Sequence, residues 1–233
     1  MIVPRLTAIN PWEVLRYLGG SAGSAPEELL DTVRDCAGEI QAVARPRAVW
    51  RKFPLEAETS LSGTTLTLTG EDIRAHLADC GACILMAATL GAEVERLLMH
   101  TQVSDMARAL ILDSCASAAV ENVCDNLEAD LRERVEAEGK FLTDRYSPGY
   151  GDLPIALQGA LCTLLNTQRQ IGLTVSGSNL LIPRKSVTAV LGISPLPRTT
   201  RSGGCQNCNL FETCTIRKSG AVCRSSQREE NLP

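Results

Sequence analysis

The sequence predicts an α+β chain, and three observations carry that prediction. Apolar residues recur at period two over residues 47–69, the mark of strands. They recur at three or four residues over 103–138, the mark of a long helix. The composition is 44% hydrophobic but only 3% aromatic in 233 residues, so a core of domain size must be built from Leu, Val, Ile and Ala.

The elements follow in order. Asn10-Pro11 opens a helix, with a capping residue and then Pro where its missing N–H costs nothing. That helix runs through Val14 and Leu15 to Leu18, and Gly19-Gly20 stops it. Ser24-Ala25-Pro26-Glu27 opens a second, carrying Leu29, Leu30, Val33, Ala37 and Ile40 at helical spacing until Pro46. Val49, Phe53 and Leu55, then Leu61, Leu66 and Leu68, read as strands, with a turn at Ser62-Gly63. Gly70-Glu71-Asp72 opens a short helix to about Ala78. Ile84 to Ala88 reads as a buried strand, and Thr89-Leu90-Gly91 as the turn into the next helix.

Residues 103–138 predict one helix about 54 Å long at 1.5 Å per residue. Val103, Met106, Leu110, Cys115, Val120, Val123, Leu127, Leu131 and Val135 form its apolar stripe. Ala107, Ser114, Ser117 and Ala118 share a small-residue face with Glu121, suited to helix packing or to leaving room for a ligand. Arg145–Pro154 is a stiff loop rich in Pro and Gly. Ile155–Gln168 predicts a helix. Residues 173–193, broken at Gly177 and Pro183, end in a strand-like run, Val187–Ile193.

Composition also excludes functions. The net charge of −4 argues against a general nucleic-acid binder, which would carry a basic stripe. The longest apolar stretch, Ala82 to Leu90, falls far short of the ~20 residues of a membrane span. The N-terminus has no basic region followed by an apolar one, so no signal peptide is visible and a cytoplasmic location is expected. Ten cysteines there are expected as metal ligands, redox thiols or small buried residues rather than disulfides. His76 and His100 are too few for a His-rich metal centre, and no hydrolytic Ser/His/Asp or Cys/His set is evident.

The composition breaks at Pro195. Residues 195–204 read as a polar linker, and 205–233 as a Cys-rich tail. Cys205, Cys208, Cys214 and Cys223, spaced C-x2-C-x5-C-x8-C, are a metal-ligand pattern. Leu210, Phe211, Ile216 and Val222 are too little apolar mass to fold alone, so a metal staple is expected. Four thiolates suit a [4Fe–4S] cluster or structural zinc; the single C-x2-C knuckle leans toward iron–sulfur. Cys80-Gly-Ala-Cys83 reads as a redox pair or, more simply, as two small residues flanking a turn. Cys36, Cys115, Cys124 and Cys162 lie at apolar helix positions and read as core.

The loop Arg145-Tyr-Ser-Pro-Gly-Tyr150 and the stretch Gly172-Leu-Thr-Val-Ser-Gly-Ser-Asn-Leu-Leu-Ile-Pro-Arg-Lys-Ser-Val-Thr-Ala189 together resemble the activation domain of cobalamin-dependent methionine synthase. That domain carries Arg-x-x-Pro-Gly-Tyr, then Gly-x-x-Leu-Thr-Glu-Ser-x-x-Met-x-Pro-x-x-Ser-Val-Ser. The resemblance covers roughly residues 80–193, more weakly the N-terminal part, and is nearest to stand-alone activation-domain-like proteins of bacteria. It implies a twisted antiparallel sheet with packed helices over residues 1–194, of which 1–70 form a helical and hairpin part. It implies binding of S-adenosylmethionine and docking on a cobalamin-binding methionine synthase or other corrinoid protein, with cobalamin held only by that partner. It also implies an electron donor such as flavodoxin or ferredoxin, and reductive remethylation of inactive cob(II)alamin.

By the same resemblance Arg145 contacts S-adenosylmethionine, Ser147 contacts it through its backbone, and Tyr150 is the motif Tyr. Glu121 matches an acidic residue facing the ligand, and Asp105 an Asp before the long helix. This chain departs from the pattern at Gly151-Asp152-Leu153, where the family has Pro-Ala-Cys. It departs again at Gly177, where the family's Glu is missing, and at Val190 or Leu191 in place of an aromatic residue. The alternative expectation is a docking or scaffold module with a structural zinc tail and no S-adenosylmethionine.

Overall fold

The structure, a computed structural model, describes residues 2–19, 25–57 and 59–197. The four tail cysteines and most of the 195–204 linker lie outside the described residues. Five antiparallel strands form the main sheet: β1 (Arg47–Glu56), β2 (Ser60–Leu61), β3 (Ala82–Thr89), β4 (Phe141–Leu142) and β7 (Ser186–Ser194), in the order β2-β1-β3-β7-β4. A small second hairpin pairs β5 (Thr174–Val175) with β6 (Leu181–Ile182). The helices are α1 (Pro11–Tyr17), α2 (Glu27–Val43), α3 (Glu71–Leu77), α4 (Ala92–Ser104), α5 (Met106–Ala137), α6 (Gln158–Leu165) and α7 (Thr167–Ile171).

The sheet is covered on both faces. β3 sits between β1 and β7 and is buried along nearly its whole length. Its side chains alternate as a strand requires. Ile84, Met86 and Ala88 join Ala189, Leu191 and Ile193 in a core under α1, α2, α4 and α5. Cys83, Leu85 and Ala87 join Val190 in a second core with Ile73, Leu161 and Ile171. This is why the sequence of β3 is continuously apolar rather than alternating. Leu85 is fully buried, and truncating such a residue to Ala costs about 2–5 kcal/mol.

Local chemistry sets most element boundaries. The Asn10 side chain accepts a hydrogen bond from the Trp12 N–H at 2.9 Å, capping α1, and Pro11 takes the first position. α2 starts directly after Pro26 and buries Leu30, Val33, Cys36, Ala37 and Ile40. The Ser62-Gly63 turn forms, with Leu61 N–H donating to Leu66 O at 3.0 Å. It is preceded by another turn at Ala57 that pairs β1 with β2.

Two expectations are corrected. The helix expected over 103–138 forms as one unbroken helix, α5, and the correction is to its start. Asp105 adopts extended backbone, ends α4, and caps α5 by accepting from the Arg108 N–H at 2.9 Å. The start of the predicted stripe is therefore not core: Val103 is 90% exposed, Met106 68% and Leu110 60%, whereas Cys115 to Val135 are buried. The helix predicted at Ile155–Gln168 starts as a 3-10 turn (Ile155–Leu157) that runs into α6, and it breaks before α7 because Asn166 takes the left-handed conformation. Of the two uses expected for the small-residue face of α5, packing is met in part: Ser114 and Ala118 are buried, Ala107 is exposed, and the Ser117 hydroxyl accepts from Lys185 Nζ at 2.8 Å.

Candidate functional site

The loop 143–154 is built onto the edge of the sheet. Leu142 pairs with Ile193, but Tyr146 pairs with Val190, so the register slips by one residue between them. Such a bulge re-aims the side chains inside it. The Tyr146 N–H donates to Val190 O at 2.9 Å, and the Val190 N–H donates back at 2.8 Å. Between these pairs, Thr143 takes over a ladder position: its Oγ1 accepts from the Gly192 N–H at 2.7 Å.

The bulge directs Arg145 onto α5. Glu121, Asp125 and Glu128 stand at spacing four and three, one face of that helix. Arg145 Nη1 donates to Glu128 at 2.9 Å; Nη2 donates to Asp125 at 2.7 Å and to Glu121 at 3.1 Å. The Arg145 side chain is only 4% exposed. Burial works against its charge, but the carboxylates of Glu128 and Asp125 outweigh it, so the guanidinium is held more firmly protonated than usual. Arg132 extends the row, donating to Glu128 at 2.9 Å and to the Leu142 carbonyl at 2.5 Å. Cys124, directly beneath, has its thiol pushed up to about 12 by burial.

The loop itself is pinned from a second side. Asp152, within one of the departures from the family pattern, accepts from the Glu71 N–H at 2.5 Å and the Asp72 N–H at 3.1 Å. It thereby satisfies the start of α3. Gly151 before it has φ +53, and a side chain there would collide with the Asp72 carboxylate and the Tyr146 hydroxyl. Glycine at 151 and Asp at 152 thus have a local reason: they tie the loop to α3. Behind the loop, the His76 ring lies 5.2 Å from the Tyr146 ring, with Nε2 at 2.9 Å from Thr143 Oγ1. Tyr146 OH donates to Tyr150 O at 3.3 Å.

Of the residues that the sequence put forward, Arg145 and Glu121 are in direct contact. Ser147 and Tyr150 lie on the same loop as Arg145. The Ser147 amide and hydroxyl make no hydrogen bond among the described residues, and Tyr150 is 69% exposed. Asp105 is elsewhere. It precedes Glu121 by sixteen residues of helix, about 24 Å along the axis, and its carboxylate is spent on the α5 cap. Val190 and Leu191, where the family has an aromatic residue, are fully buried in the two cores. Among the described residues no group of three or more His, Cys, Asp or Glu is arranged for a metal ion.

Sequence reasoning missed Asp125 and Glu128, although their helical spacing from Glu121 was legible. It also missed Thr143, His76 and the role of Asp152, which only the strand register brings beside the loop. A cavity of about 470 Å³ opens apart from this cluster, lined by Asp79, Cys80, Gly81, Ala82, Lys140, Ile193 and Pro195. None of the five ligand candidates lines it. No helix among the described residues is long and apolar enough to cross a membrane.

Neither a family model nor a curated protein matches the sequence. Among solved structures the chain is similar to the MetH reactivation domain, solved bound to AdoHcy. The TM-score is 0.60 at 15% identity, over 93% of this chain and 83% of that one. The chain has an activation-domain-like fold: the architecture of that reactivation domain, reached through a sequence that shares few of its residues.

Proposed function

We propose that the chain is a reactivation module for a cobalamin-dependent methyltransferase, in the first place methionine synthase. In this reading it binds S-adenosylmethionine against the loop 145–150 and docks on the cobalamin protein. One observation carries it. The Arg145–Tyr150 loop is strapped to β7 and α3 so that Ser147 keeps an unused amide and hydroxyl and Tyr150 stands exposed, on the same loop whose Arg145 meets a row of carboxylates on α5. That donor set fits the ligand's chemistry: backbone N–H for its polar edge, carboxylates for its ammonium and sulfonium, an aromatic face for its ring system. The solved relative with the same architecture holds AdoHcy, which supports the reading. When bound, S-adenosylmethionine would supply the methyl group that restores methylcobalamin on the partner.

The contribution of this chain is positioning. Arg145 keeps the three carboxylates together and fixes the bulge. Glu121, 36% exposed and thus between Glu128 at 15% and Asp125 at 64%, offers a partly exposed oxygen toward a cationic ligand. The Cys-rich tail is proposed to hold a [4Fe–4S] cluster that passes on an electron from a donor such as flavodoxin or ferredoxin. Iron and zinc content of protein purified without oxygen tests this. About four irons per chain, lost in Cys205→Ser, fits the cluster; one zinc makes the tail a structural clip.

Titration calorimetry of the full chain with S-adenosylmethionine tests the central claim. Saturable binding, weakened about tenfold or more by Tyr150→Ala, is expected. No heat up to millimolar ligand overturns it. A second reading would then stand, a docking module for a corrinoid protein with no such ligand. The burial of Arg145 under three carboxylates favours that second reading, since a ligand carboxylate would have to displace one of them.

A further inference from the structure

We propose that the cavity at the end of β7 is the seat of the chain's own Cys-rich segment, residues 205–223. The inference does not depend on S-adenosylmethionine binding.

Three features of the cavity point to this occupant. The first is its place. Ile193 and Pro195 form one wall, and the described chain ends two residues later at Pro197. Thirty-six residues follow. Cys205 is eight residues on, a reach of at most about 27 Å when extended, so the segment begins within reach of the cavity. The second is surface chemistry. The walls mix apolar Ala82, Ile193 and Pro195 with one acid, Asp79, and one base, Lys140. The segment has the matching set: Leu210, Phe211 and Ile216 beside Glu212 and the pair Arg217-Lys218. It is too poor in apolar residues to bury them against itself, so a partly apolar wall within reach stabilises it. The third is the cysteine at the base. Cys80 lines the cavity yet is only 9% exposed, and its Sγ lies 2.6 Å from where a side chain on Gly192 would begin. Gly192 donates its N–H to Thr143 Oγ1, and Thr143 touches His76, whose ring lies against Tyr146. A segment seated there places its four thiols on the side of the sheet from which this chain of contacts leads to the Arg145–Tyr150 loop.

The four lysines of the chain, Lys52, Lys140, Lys185 and Lys218, make a direct test. Lys140 lines the cavity. Lys52 is near it, since its Nζ is 2.8 Å from Glu138. Lys185 stands before the first residue of β7, about 27 Å of strand from Ile193. All are within the tether's reach of Lys218, so a link reports where the segment rests. The full chain, purified without oxygen, is treated with a short amine-to-amine cross-linker and mapped by mass spectrometry. An equal mixture of isotopically light and heavy chains separates links within one chain from links between copies. The expected result is Lys140–Lys218 within one chain, at least fivefold over Lys185–Lys218 once each is divided by that lysine's single-ended labelling, since Lys185 is only 14% exposed and paired with Asp113, with Lys52–Lys140 as the sign that Lys140 reacts. Comparable Lys185–Lys218 yield, no Lys140–Lys218 link, or links only between copies would each overturn the proposal. The last would make a second copy the occupant.

Discussion

Arg145 and Glu121 lie 3.1 Å apart, nitrogen to oxygen. The two residues that the family resemblance assigns to a common ligand are, in the folded chain, each other's partners. A ligand at the loop must therefore compete with, or add to, an ion pair that already exists.

This separates two kinds of variant. Arg145→Met removes the guanidinium that Glu121, Asp125 and Glu128 share, and leaves Glu128, itself only 15% exposed, with Arg132 alone. The lost charged hydrogen bonds cost about 1.5–3 kcal/mol, because the carboxylates left behind are only partly compensated. We expect a large drop in the urea midpoint, so a binding loss in this variant says nothing about the ligand by itself.

Glu121→Gln is the cleaner probe. Its side chain is 36% exposed, and Asp125 and Glu128 still hold Arg145. Stability should move by less than about 1 kcal/mol. Affinity for S-adenosylmethionine should fall about tenfold, equivalent to about 1.4 kcal/mol. Calorimetry beside urea melts reads both, and unchanged affinity would remove Glu121 from the ligand set.

Asp105→Ala should behave in the opposite way. It deletes the cap of α5, which costs about 1 kcal/mol. With Asp105 about 24 Å of helix from Glu121, ligand affinity should not change. A loss of affinity at intact stability would show that a ligand reaches further than the loop.

The tie between the loop and α3 is tested by Gly151→Ala and Asp152→Ala. The first puts a side chain at φ +53 into the Asp72 carboxylate and the Tyr146 hydroxyl, a strain of about 1–3 kcal/mol. The second leaves the Glu71 and Asp72 N–H groups without their acceptor, a loss of about 1 kcal/mol. Both should raise amide exchange in residues 146–153 before the core strands; protection that stays even would mean the loop is held by β7 alone.

Alkali should destabilise the fold through its buried thiols. Burial pushes Cys83, Cys115 and Cys124 up to about 12 from an ordinary 9.0. Above pH 9 the unfolded chain releases these protons and the native one keeps them, so their contribution to stability is intact below 9 and fades as pH rises toward 12. Chemical denaturation at pH 8 and pH 10 measures it. Native alkylation at pH 8 should leave all three unmodified.

Periodicity, caps and breakers determined the elements from sequence. Asn10-Pro11, Pro26 and the uninterrupted apolar run of β3 are local or nearest-neighbour signals, and tertiary packing had no reason to override them. The motif loop was legible too, because Pro and Gly constrain the backbone wherever they stand. Asp105 stands before the long helix, as the resemblance implies, but spacing alone carried the helix back to Val103, because one capping residue between two apolar stretches at helical spacing does not disturb the pattern. The exposure of Val103, Met106 and Leu110 was not legible either, since spacing gives a stripe but not what it faces. The site needed the fold. The bulge opposite Val190–Gly192 turns Arg145 onto α5, and the same register brings Thr143 to His76 and Asp152 to α3. Those contacts join residues between about 20 and 80 positions apart, and their geometry is set by strand register and helix packing, which a linear sequence does not display.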